Sequence, residues 1–180
     1  MNLTGENPAN HEIMVHHQKN RASPPAIKGT YLIVMSVDRG TTIPVGRLGT
    51  VCFKKGHYVY VGSAFGPGGL AARIGHHLSI KTKKHWHLDY LDFRVREVRI
   101  SKFEKKVEHE WAGILGQNAD GAIPGFGCSD CSCASHLLYF KTLKAWQRAL
   151  AHLSFNDQTN LRAVMKRDVS MYNQEVLQEN

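Results

Sequence analysis

Apolar positions come in short continuous runs separated by glycine-rich and charged breaks. Tyr31-Leu32-Ile33-Val34-Met35-Ser36-Val37 is short, apolar and rich in β-formers, and it predicts a buried strand. Asp38-Arg39-Gly40 turns the chain. Thr42 to Val45 and Gly49 to Phe53 predict two short strands, with a second turn at Lys54-Lys55-Gly56. His57 to Val61 predicts another core strand, dominated by aromatic and β-branched residues. Ser63 to Gly69 reads as a loop. Leu70, Ile74 and Leu78 then fall at helical spacing and predict a helix from about residue 70 to 78. Arg73 and His77, four residues apart, sit together at the edge of that apolar stripe.

His85-Trp86-His87-Leu88-Asp89-Tyr90-Leu91 predicts a further strand or a short helix, and 95–100 a strand. Phe103, Val107, Trp111 and Ile114 repeat at helical spacing and predict a helix over 103–115. Residues 116–127 read as loop, and His136 to Phe140 as a short apolar strand. The segment 141–180 reads as helical, with Leu143, Trp146, Leu150 and Leu153 as its apolar face. Residues 1–28 are polar and aperiodic, and end in Ser23-Pro24-Pro25. They predict a disordered arm. The whole pattern predicts an α+β domain over 29–140, a small and mainly antiparallel sheet flanked by helices. A hairpin is inserted at 38–56, and a helical extension follows.

Composition narrows the class. At 180 residues the chain suits one domain with tails, and 42% hydrophobic with 21% charged residues is the balance of a globular protein. No apolar stretch reaches bilayer length, so no membrane partner is expected. The first residues lack a basic-then-apolar leader pattern, so a cytoplasmic location is expected. The formal net charge is +8, unevenly spread: residues 73–106 carry +6 and residues 107–140 carry −4. A basic surface beside an acidic cluster suits a protein that grips a polyanion and holds a metal ion.

The chemistry is concentrated in Tyr31, Tyr60, Arg73 and His77. A phenol can move a proton, a guanidinium can hold a phosphate, and an imidazole can do either. Half-buried strand tyrosines and a solvated helix-edge arginine are the plainer reading of the same residues. The Gly66–Gly69 loop lacks the following Gly-Lys-Ser/Thr of a nucleotide-binding loop, so it is read as a flexible rim beside Arg73. Cys128, Cys131, Cys133 and His136 are four potential zinc ligands. Their spacing is cramped for one tetrahedral site, and thiol packing is the preferred reading.

These residues together resemble the GIY-YIG nuclease superfamily. Gly29-Thr30-Tyr31 stands for the first signature, Tyr60-Val61-Gly62 for the second, and Arg73 and His77 for the helix that follows. Glu110, in Glu110-Trp111-Ala112, is similar to the family's metal-binding glutamate, and Glu108 is its rival. The most similar branch is the GIY-YIG-like domain sometimes fused to endonuclease III. It shares Val45-Gly46-Arg47-Leu48-Gly49, the stretch around Tyr60, His85-Trp86-His87-Leu88-Asp89-Tyr90 and Gly125-Phe126-Gly127 through His136. The resemblance covers about residues 29–140.

It implies a nuclease that cuts phosphodiester bonds, in DNA first and RNA second, with one Mg²⁺ or Mn²⁺ ion. Tyr31 would transfer a proton beside Tyr60, Arg73 would hold the scissile phosphate, and Glu110 would bind the metal. His77, with His85 or His87, would position water or phosphate, and His136 would stand near the groove. Fusion to a repair enzyme in that branch implies a DNA-repair partner. The competing expectation is a module that binds nucleic acid through the basic 73–106 surface without cutting. A zinc-stabilised interaction protein is the third.

Overall fold

The structure, a computed structural model, describes residues 27–79, 82–101, 106–153 and 159–161. In chain order these form β1 (Gly29–Val37), β2 (Thr41–Pro44), β3 (Thr50–Phe53), β4 (Gly56–Ala64) and α1 (Gly69–Leu78). Then follow β5 (Arg94–Ser101), α2 (Glu108–Asn118), β6 (Gly121–Ala122), β7 (Leu137–Phe140), α3 (Leu143–Leu150) and β8 (Thr159–Leu161). The fold is α+β, as the apolar pattern predicts.

Strand order in the main sheet is β6-β7-β4-β1-β5-β8, and every pairing is antiparallel. β1 lies inside the sheet and is buried along its whole length, which is why it is apolar without alternation. Its two faces serve two cores. Tyr31, Ile33, Met35 and Val37 pack with Leu70, Ile74 and Leu78 of α1. Leu32 and Val34 pack with Trp111, Ala112 and Leu115 of α2 and Trp146 and Ala149 of α3. Burying one large apolar side chain contributes roughly 1.5–3 kcal/mol, so both layers are firmly held to this strand. β2 and β3 form the separate hairpin expected from the insertion, with Thr41 opposite Phe53.

Three local expectations are corrected. α2 starts at Glu108, because Val107 has non-helical backbone and its N–H donates to Thr30 Oγ1 at 3.3 Å. Phe103 lies outside the described residues. The loop expected at 116–127 includes the end of α2 and also β6, which pairs with β7. Of the helical reading of 141–180, the described residues show α3, capped by Thr142, whose Oγ1 accepts from the Ala145 N–H at 3.1 Å, and a strand at 159–161. Trp146, Ala149 and Leu153 are buried while Leu143 is exposed, and β8 then pairs along the outer side of β5. Of the strand or short helix expected at 85–91, the structure has the short helix, a 3₁₀ turn over His87–Tyr90. The expected arm before Ile27 and the helix expected beyond Leu161 lie outside the described residues. Among the described residues, no helix is long and apolar enough to cross a membrane.

Candidate active site

The antiparallel register sets Tyr31 opposite Gly62 and Ile33 opposite Tyr60. Both tyrosines therefore leave the sheet on the α1 side. The Tyr31 phenol lies across Gly62, where any Cβ would overlap its Cζ and hydroxyl. The glycine of the second motif is thus explained by the tyrosine of the first. The two rings are 6.4 Å apart, and His77 completes the group at 6.0 Å from Tyr31 and 5.8 Å from Tyr60. Burial, followed by the charge of Glu108, raises the Tyr60 pKa well above that of a free phenol. Tyr60 therefore stays a protonated hydrogen-bond donor.

The helix α1 brings Arg73, His76 and His77 onto the 85–90 segment. The Arg73 guanidinium lies 4.4 Å from the Trp86 ring centroid, a cation–π contact that holds it over the indole. His76 meets the same indole edge-on at 4.3 Å. Beneath them the Asp89 carboxylate is fully buried. It accepts the N–H groups of His85 and Trp86, each at 2.9 Å, and lies 3.3 Å from His76 Nε2 and 3.9 Å from His77 Nδ1. Burial opposes its charge, but the two backbone donors and His76 outweigh it and hold the carboxyl below its usual range. Asp89 is therefore the anchor that sets Trp86, and through it Arg73.

The first turn of α2 supplies the acid. Glu108 is buried and lines the same cleft as the tyrosines, while Glu110 is exposed and does not line it. The expectation that Glu110 faces the groove is thus not met. The cause is the helix start: Thr30 holds Val107, so the first helical residue is the one turned inward. Glu108 Oε1 lies 2.7 Å from Lys106 Nζ and 3.2 Å from His109 Nε2.

The loop before β7 closes the far wall. Gly127 has φ +76°, and a Cβ there would lie 2.9 Å from the Cβ of His136 and 3.2 Å from Tyr60. Its N–H donates to His87 Nδ1 at 3.0 Å. His87 Nδ1 is therefore an acceptor, and its proton resides on Nε2. Burial lowers the His87 pKa, which keeps the ring neutral. His136 is 3% exposed, with Nδ1 3.1 Å from the Val61 carbonyl and Nε2 3.4 Å from Cys131 Sγ. Both its nitrogens are engaged, so it forms wall rather than a free base.

The result is a cleft of about 750 Å³. Tyr31, Tyr60, Arg73, His77, His85, His87 and His136 all line it, joined by Trp86, Lys106, Glu108 and Asp130. Gly46 and Arg47, just beyond β2, form part of its rim. Sequence reasoning gathers the tyrosines, Arg73 and the histidines, but misses Trp86, Asp89 and the choice of Glu108. The signal for Asp89 was an acid three and four residues after two adjacent residues whose N–H groups it can accept. Of the four potential zinc ligands, Cys131, Cys133 and His136 come together, and His109 joins them where Cys128 was expected. This His/Cys cluster can hold a metal ion.

Fold and cleft define an α+β domain with a polar, cation- and histidine-lined groove at one end of an antiparallel sheet. The chain belongs to the family described as domain of unknown function DUF123, whose model matches residues 30–158. No curated protein and no solved structure is similar enough to count as a match.

Proposed function

We propose that the chain is a metal-dependent nuclease of the GIY-YIG type, hydrolysing phosphodiester bonds in DNA. One observation carries the reading: two strand tyrosines, a helix arginine, a helix histidine and a buried glutamate converge on one cleft. Attack on a phosphodiester builds negative charge on the non-bridging oxygens, and catalysis lies in groups already placed to meet it. Arg73, held over Trp86, is the phosphate clamp. Tyr60 and His87 act as neutral hydrogen-bond donors to the same oxygens. Tyr31 is the candidate for proton transfer at the attacking water, and His77 packs both phenols in place.

A hard divalent ion fits the acidic side of the cleft. Glu108 is a buried carboxylate whose counter-charge is the Lys106 ammonium, a role that a cation can take over. Bound there, Mg²⁺ or Mn²⁺ supplies positive charge to the phosphate and a more acidic water.

Incubation with branched, nicked and single-stranded DNA, and with RNA, in Mg²⁺ or Mn²⁺ tests the reading. Cleavage that needs the metal, stops with a chelator and falls about 100-fold or more in Arg73→Ala is expected. Binding to nucleic acid that weakens steeply with salt, with no substrate cut, would overturn cleavage and leave the binding module in its place.

A further inference from the structure

The cysteine-rich loop 128–136 has no part in the phosphodiester chemistry above. Its thiols nevertheless do not scatter. One donor atom from each of His109, Cys131, Cys133 and His136 lies within 4.8 Å of the other three. The geometry points to a tetrahedral Zn²⁺ site built from these four side chains, closing the wall of the cleft from behind.

Three independent features support it. The first is spacing. With zinc–sulfur and zinc–nitrogen bonds of about 2.3 and 2.0 Å, the S···N edge of a tetrahedral site is about 3.5 Å. Cys131 Sγ and His136 Nε2 are 3.4 Å apart before any ion draws them. The second is the tautomer. The Val61 carbonyl can only accept, so His136 Nδ1 carries the proton and Nε2 presents its lone pair toward Cys131. A backbone carbonyl on the remote nitrogen is the usual partner of a ligand histidine.

The third is topology. His109 comes from the first turn of α2, and the other three from the loop entering β7, so the site would bind together two separate segments. Donors drawn from two separate segments can close a structural zinc centre, which the local run of three cysteines alone does not. Cys128 stands outside the set: its thiol donates to the Phe126 carbonyl at 3.4 Å.

Two thiols lose their protons on binding, and two thiolates with Zn²⁺ leave the centre neutral. Thiolate donors select zinc over the hard ion of the cleft. The ion would fix His136, and with it the Gly127 and Tyr60 side of the groove. The inference does not depend on cleavage, since it requires only a folded chain.

Metal analysis of the purified full chain, grown with zinc supplied, should give about one zinc per chain. Cys128→Ser should keep it, while His109→Ala, Cys131→Ser and Cys133→Ser should each lose more than half. Replacement by Co²⁺ should give the charge-transfer absorption of thiolate ligands in the unmutated protein. That measurement needs no variant, so it stands even where Cys131→Ser fails to fold. A chain without near-stoichiometric zinc and without the cobalt–thiolate band overturns the site. So does loss of the metal in Cys128→Ser with retention in His109→Ala. An inactive nuclease that holds zinc as described leaves this site intact and removes only the catalytic reading.

Discussion

Tyr31 lies with its phenol directly over the α-carbon of Gly62, its register partner on the adjacent strand. No side chain fits between them. The two short motifs are thus halves of one contact.

Gly62→Ala should destabilise the fold by about 1–3 kcal/mol, because the new methyl group meets a ring held on all sides. Removing the ring should relieve the clash. Tyr31→Ala/Gly62→Ala should therefore cost clearly less than the two single changes summed, in a double-mutant cycle measured by chemical denaturation.

Arg73→Lys should lower cleavage at least tenfold while changing stability by no more than about 1 kcal/mol. The ammonium keeps the charge but loses the guanidinium contact with Trp86 and, on the proposed reading, the two-pronged grip on phosphate. Trp86→Leu should reproduce much of the activity loss with Arg73 intact. Rates and thermal melts measured side by side separate aim from charge.

Asp89 makes stability depend on acid. Its folded pKa lies below the unfolded value of 3.8, so its contribution is fully present above that value. It is lost as pH falls through the lower folded pKa. Asp89→Asn should cost about 1–3 kcal/mol at neutral pH, from buried donors poorly matched, and should flatten the acid limb of the stability curve. Urea midpoints from about pH 2 to 7 provide the check. A variant with the same acid limb as the unmodified chain would remove Asp89 as its source.

The two acids of α2 should separate cleanly. Glu108→Gln should abolish metal-stimulated cleavage, and Glu110→Gln should leave it within about twofold, as expected for a surface change away from the site. Titration of activity against Mg²⁺ distinguishes weakened metal binding from a lost catalytic step.

Much of this is legible in the chain because the core strands and α1 obey simple periods. The apolar run at 31–37 and the 70/74/78 stripe place Tyr31, Arg73 and His77 on the right elements without reference to contacts. The errors lie where distant partners decide. Whether residue 108 or 110 turns inward depends on where α2 begins, and that is set by Thr30, which lies 77 residues before Val107. Asp89 gains its role only when α1 packs over it. The strand at 159–161 exists because β5 offers it an open ladder, a fact of tertiary pairing rather than of local composition.

Thr30 and Tyr31 are neighbours that leave β1 on opposite sides, one to pin α2 and the other to reach over Gly62. A slip of a single residue in that strand would exchange them. The phenol would be driven into the layer of Trp111, and the anchor of Val107 would vanish. Misalignment would therefore cost the molecule its interior and its chemistry at the same moment. A misthreaded chain has no well-packed form in which to persist, and proofreading of the groove is accomplished by folding itself.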